Sequence, residues 1–210
     1  YNALRLLEHW TRDAGDGAKA DELRGHAEAC RRSFNERFWY EQGGHLFDVV
    51  ESWEKRGEND PACRPNQLFA ISLPHGPLAG KESRARARSI VDICAAQLLT
   101  SHGLRSLSPQ HPAYMGSYGG DQRQRDAAYH QVTVWAWLVG AFVEAHWRVY
   151  SDAEDARSFL APFEQHLSDY GLGSISEIFD GDAPFAPRGC IAQAWSVAEV
   201  LRVWKFLNER

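Results

Sequence analysis

Apolar residues recur at helical spacing along most of this chain, and that periodicity restricts it to a largely helical fold. Leu23, Ala27, Cys30, Phe34 and Phe38 repeat at steps of three and four, which places them on one stripe of a helix. Ile90, Val91, Cys94, Ala95, Leu98 and Leu99 form a second stripe, and Val197, Val200, Leu201, Trp204 and Leu207 a third. Within residues 132–149, Val134, Trp135, Leu138, Val139, Phe142 and Val143 cover more than one face, so that helix should be deeply buried. Ser151-Asp-Ala-Glu is a capping-box signature and predicts a further helix reaching Leu167. Only residues 44–50 read as a strand. The pattern predicts an all-α fold of roughly seven helices, a short one following Pro65, with almost no sheet.

Composition narrows the classes further. With 210 residues, 44% hydrophobic and 24% charged, the chain can bury one core and is not disordered. No internal boundary is visible, so residues 1–210 read as part of a single domain. A net charge of −5 leaves no basic field for a nucleic-acid partner. No apolar run reaches the roughly 20 residues that span a bilayer, so no membrane partner is expected. The four cysteines lack zinc or CxxC spacing, which suggests buried free thiols in the cytoplasm. No second histidine or carboxylate sits at ligand spacing beside His130, so neither a metal nor a cofactor is expected. The chain opens inside a helical pattern at Tyr1-Asn2-Ala3-Leu4, which suggests a piece of a longer polypeptide. Eight Trp and seven Tyr against one Met are mainly core material, yet they also suit sugar faces, which stack on aromatic rings.

Two stretches, 102–125 and 171–190, are too long for the turns of a plain bundle and are rich in Gly, Pro, Asp, Arg and aromatics. Three segments in and near them carry candidate chemistry. Asp60 followed by Arg64-Pro-Asn66-Gln67 can fix several hydroxyls, or can simply start a helix at Pro65 with a surface arginine. Residues 106–137 include Tyr118-Gly-Gly-Asp121, Arg125-Asp126, Tyr129-His130-Gln131 and Trp135-Ala-Trp137, polar groups and rings leading into an apolar helix. They suit a pocket rim, although His130 can equally be a buried, hydrogen-bonded histidine. Ser174-Ile-Ser-Glu177-Ile-Phe-Asp-Gly181 fits a capping box, but Gly181, Pro184 and Pro187 leave no room for a long helix. A Glu held among Ile175, Ile178 and Phe179 is the alternative, a carboxylate in partly apolar surroundings suited to proton transfer. The residues alone leave both open.

Taken together and in order, these segments, with Pro187-Arg-Gly-Cys-Ile-Ala-Gln193-Ala-Trp195-Ser196, resemble the amylo-α-1,6-glucosidase domain of bacterial glycogen debranching enzymes. The resemblance covers essentially the whole chain. It implies an (α/α)6 toroid, twelve helices in two concentric rings, hydrolysing α-1,6-linked glucose at glycogen branches with inversion. Such chemistry needs a general acid and a general base, carboxyl groups about 6.5 to 9.5 Å apart. By resemblance Glu177 is the base, and Arg64, Asn66, Gln67, Asp126, Tyr129, His130 and Trp135 are candidate sugar contacts. The family's acid is an Asp in a Thr-Trp-Met-Asp motif that these 210 residues do not contain. With too few helices for twelve, the chain is expected to form only part of the toroid. The implied partners are glycogen or a branched oligosaccharide, the remainder of the polypeptide, and a second copy through the open side. Val132 and Ala136 depart from the family's usual Gly and Pro; the Ala should let the helix continue unkinked. A related toroidal α-glucosidase or trehalase-like hydrolase, a non-catalytic glucan-binding module, and a sugar epimerase with paired histidines are the alternatives.

Overall fold

The computed structural model describes residues 1–54 and 56–209. Helices α1 (Asn2–Asp13) and α2 (Gly17–Arg37) pack along one another across a short connection. Asp16 starts α2 by accepting the Lys19 amide at 3.0 Å. A two-residue hairpin follows, β1 (Trp39–Tyr40) with β2 (His45–Leu46), and then a loop closed by the Val49–Asp60 bridge. Pro65, with no amide hydrogen to lose, opens a 3-10 turn, Pro65–Leu68, that runs into α3 (Phe69–Ser72).

Helix α6 (Leu138–Tyr150) is the hub of the core. Ten of its residues are buried, among them Phe142, Val143 and Val149. It packs against α3, against α4 (Arg84–Gln97), against α7 (Ala153–Ser158) and against α9 (Ala194–Asn208). Ile90, Val91, Cys94 and Leu98 supply the α4 side of that core, as their spacing predicts. Two more helices complete the set, α5 (Gln122–Ala128) and α8 (Ala161–Asp169).

Several expectations need correction. Against the expectation of almost no sheet, the short strands β3 (Leu99–Thr100), β4 (Gly103–Arg105), β5 (Val134–Trp135), β6 (Ile178–Phe179) and β7 (Pro187–Arg188) join in one antiparallel sheet within a mainly helical chain. Each strand is two or three residues long, too short to show alternation. The helix expected from residue 132 begins only at Leu138, because Val134 and Trp135 pair with β4 and β6 instead. Ala136 therefore precedes the helix and does not continue it. The strand read over 44–50 shrinks to His45–Leu46. Asp152, not Ser151, caps α7, accepting the amides of Glu154 and Asp155; Ser151 takes a left-handed conformation that ends α6. The single helix expected to Leu167 breaks at Phe159-Leu160, ahead of Pro162 near the start of α8. On α9, Leu207 is buried but Leu201 and Trp204 are 60% and 55% exposed, since Ser196 and Val203 occupy the inner face. All four cysteines are free, but Cys190 is exposed, not buried.

The two long loops hold each other. The Asp180 carboxylate accepts the Tyr118 amide at 2.7 Å and the Arg188 guanidinium at 2.8 and 3.1 Å. Arg105 donates to the Gly181 carbonyl at 2.8 Å, and the Tyr114 hydroxyl to Asp182 at 2.8 Å. These bonds tie 102–125 to 171–190 and give the sheet its ordered rim.

Candidate active site

Glu177 stands immediately before β6, in a segment pinned on both sides. Its amide donates to the Cys190 carbonyl at 2.9 Å. Its side chain is half-buried, with both carboxylate oxygens engaged: Oε1 accepts the Tyr129 hydroxyl at 2.6 Å, and Oε2 accepts the Cys190 amide at 3.0 Å. Charge-assisted bonds of this kind are short and strong. Burial, and then the bond to Glu177, raise the Tyr129 phenol above its ordinary value, so it stays protonated and remains a donor. Gly189 makes the arrangement possible: at φ +67° a side chain is strained, and a Cβ there would collide with Glu177 Oε2.

Tyr129 follows α5, whose start is fixed by a reciprocal box between Asp121 and Gln124. Its ring meets Trp135 edge-on at 5.0 Å and His130 at 5.1 Å, while His130 stacks on Trp135 at 5.8 Å and 11°. Trp135 is held in β5 by pairing with Leu104 on one side and Ile178 on the other. That register is what brings Tyr129 and Glu177 together across 48 positions of sequence.

Arg64 braces this cluster. One guanidinium nitrogen donates to the carbonyls of Ser106 at 3.0 Å and His130 at 2.8 Å, the other to Gln131 Oε1 at 2.9 Å. Its Nε lies 3.4 Å from Asp48. Most of its donors are thus spent on protein, leaving little for a ligand. Gln67 is buried and likewise turned inward, accepting the Leu46 amide at 3.1 Å and donating to the Arg64 carbonyl at 3.0 Å. Asn66 is exposed beside Asp48, and Asp126 is exposed on α5 one turn before Tyr129.

A cleft of about 550 Å³ opens in front of this brace, within the range of small-ligand sites. Arg64, Asn66, His130 and Trp135 line it, joined by Asp48, Glu54, Asp60, Trp137 and Trp195. Glu177 and Tyr129 are not on that wall; they lie beside it, past Trp135 and His130. Asp48 and Glu54 were not among the sequence candidates, and Asp60, Trp137 and Trp195 were noted only as parts of motifs. An apolar groove of about 480 Å³, lined by Phe34, Phe38, Phe47 and Phe69, shares Asp48, Arg64 and Asn66 with the cleft. It lacks the convergent carboxylates and tryptophans, so the cleft is the better candidate for a sugar. No group of three metal-ligating side chains occurs among the described residues, and no helix among them is long and apolar enough to cross a membrane.

The Tyr129–Glu177 bond carries the first prediction. Tyr129→Phe should lower kcat about tenfold, equivalent to roughly 1.4 kcal/mol at the barrier, because one carboxylate oxygen loses its orienting donor. Steady-state kinetics on an active protein that carries this chain check this; an unchanged kcat would mean that the bond does not orient a working group.

A half-buried, doubly held carboxylate beside an aromatic cleft rimmed by acidic and amide side chains suits hydrolysis of a sugar. A family model described as amylo-alpha-1,6-glucosidase matches residues 1–202, nearly the whole chain, and the chain belongs to that family.

Proposed function

We propose that this chain carries the general base of an inverting α-1,6-glucosidase, and that the base is Glu177. Family membership implies glycosidase activity of the glycogen-debranching type and a glucan substrate. The observation supporting the finer reading is the double hold on the Glu177 carboxylate by Tyr129 and the Cys190 amide. Each oxygen accepts one bond and keeps a free lone pair. An oriented carboxylate with spare acceptor capacity can take a proton from water as that water attacks the anomeric carbon. His130, Trp135, Trp137 and Trp195 then form the aromatic wall on which glucose rings stack. Arg64 and Gln67 act mainly as braces. The partial (α/α)6 arrangement belongs to the same reading.

The departing oxygen must be protonated on the opposite side of the scissile bond. The family resemblance assigns that proton to an Asp outside these 210 residues. Chain 1–210 alone should therefore release no measurable glucose from branched limit dextrin, since acid assistance is worth about 10² to 10⁴-fold. The full-length polypeptide should release it readily. Robust turnover by the isolated chain, abolished by Asp126→Asn or Asp60→Asn, would put the acid inside the chain and refute this division of labour.

A further inference from the structure

A pair of histidines that the proposed chemistry does not use packs against β6 and the segment that leads into it through Glu177. His166, on α8, is buried, and its Nε2 accepts the backbone amide of Ser176 at 3.2 Å. Ser176 is fully buried and immediately precedes Glu177. The Ser176 amide is held by His166, and the Glu177 amide by the Cys190 carbonyl.

We propose that His166 is a positioning residue for Glu177: its neutral imidazole, protonated on Nδ1 and accepting at Nε2, fixes the Ser176 amide and thereby the direction of the carboxylate. This inference rests on the reading of Glu177 as base and adds the group that aims it.

The surroundings of His166 favour the neutral ring. Its edge meets Phe179 of β6 at 5.0 Å and His102 of the β3–β4 turn at 5.4 Å, and Tyr170 stacks at 6.2 Å. His102 in turn stacks on Phe179 at 4.6 Å. The titratable groups around His166 are Asp169 and Tyr170 at the end of α8 and His102 from the turn; the Ser176 amide and the Phe179 ring of β6, which also meet it, do not titrate. Burial lowers the His166 value, partly offset by Asp169. Burial and the neighbouring His166 pull His102 down to about 4.

Both rings thus bind protons less readily in the folded state than in the unfolded chain. Where the unfolded chain binds more protons, stability rises with pH. Stability is therefore lost as pH falls from the ordinary 6.5 toward about 4. A protonated His166 also has no lone pair left for the Ser176 amide. Activity should then fall on the acid side in step with charging of His166.

The test uses the full-length polypeptide with three variants. His166→Phe keeps the ring's bulk but removes the acceptor, and should lower kcat about tenfold or more with KM changed by no more than about twofold. His166→Gln restores an acceptor that does not titrate, and should recover most of kcat while flattening the acid limb of the pH profile. Glu177→Gln serves as the control for the base itself. Nitrogen-15 NMR of histidine-labelled protein gives an independent reading, expected to show the Nδ1–H tautomer at neutral pH and charging only below 6.5. Wild-type kcat in a folded His166→Phe, or an Nε2–H or charged ring at neutral pH, would overturn the proposal. Should the Phe variant fail to fold, the tautomer decides. Full turnover by Glu177→Gln would sink the base reading instead, and an inactive Glu177→Gln beside a fully active His166→Phe would sink this inference alone.

Discussion

Glu177→Gln in the full-length polypeptide should cut glucose release from branched limit dextrin by about 10² to 10⁴-fold while leaving the fold intact. The amide keeps the shape of the side chain, and its oxygen can still accept the Tyr129 hydroxyl bond of 2.6 Å or the Cys190 amide bond of 3.0 Å. It cannot take a proton from water. The loss should therefore fall on kcat, with KM little changed, because the interaction removed is made only in the transition state. Thermal melting beside the kinetics separates this from unfolding. A variant with unchanged melting and more than half the original kcat would show that the base lies elsewhere, and the cleft carboxylates Asp48, Glu54 and Asp60 would be the next to examine.

Arg64→Met should produce the second-largest effect, and it should be on stability first. The guanidinium joins four segments through the Ser106 and His130 carbonyls, the Gln131 amide and the Asp48 carboxylate. Its side chain is only 19% exposed, so those partners would lose bonds that water replaces poorly. A loss of about 3 kcal/mol is expected for a charged group with several bonds, or a Tm lower by roughly 6 to 12 °C in a chain of this size. Arg64→Lys keeps the charge near Asp48 but not the planar fork, so it should recover less than half of the loss. A Tm within about a degree of the original, with KM alone raised, would instead identify Arg64 as a sugar contact.

The long helices were legible because their stripes persist over three or more turns. The stripe on α4 buries Ile90, Val91, Cys94 and Leu98 as its spacing predicts. The sheet was not legible: strands such as Val134–Trp135 and Ile178–Phe179 are too short for a period to register. Their pairing depends on partners dozens of residues away. The same length limit hid the late start of α6, since Val132-Thr-Val134 fits a buried helix face as well as a strand. At the site, the sequence placed Glu177, Tyr129, His130, Trp135 and Arg64 on the candidate list, and their contacts join them in one cluster. It could not distinguish a residue that touches a ligand from one that braces it, because Arg64 and Gln67 spend their donors on carbonyls that no motif names. His166 was invisible for a related reason. A lone histidine on a short helix gives no sign that it meets the amide before Glu177.

The configuration of the glucose first released tests the central claim most directly. Proton NMR within the first turnovers of the full-length polypeptide, before mutarotation, reads the anomer formed from the α-1,6 linkage. A base that activates water for a single displacement must deliver β-glucose. That is the result predicted for Glu177 acting with a distant acid. Release of α-glucose would mean two successive displacements through a covalent intermediate, with Glu177 attacking carbon and not water, and would contradict the account.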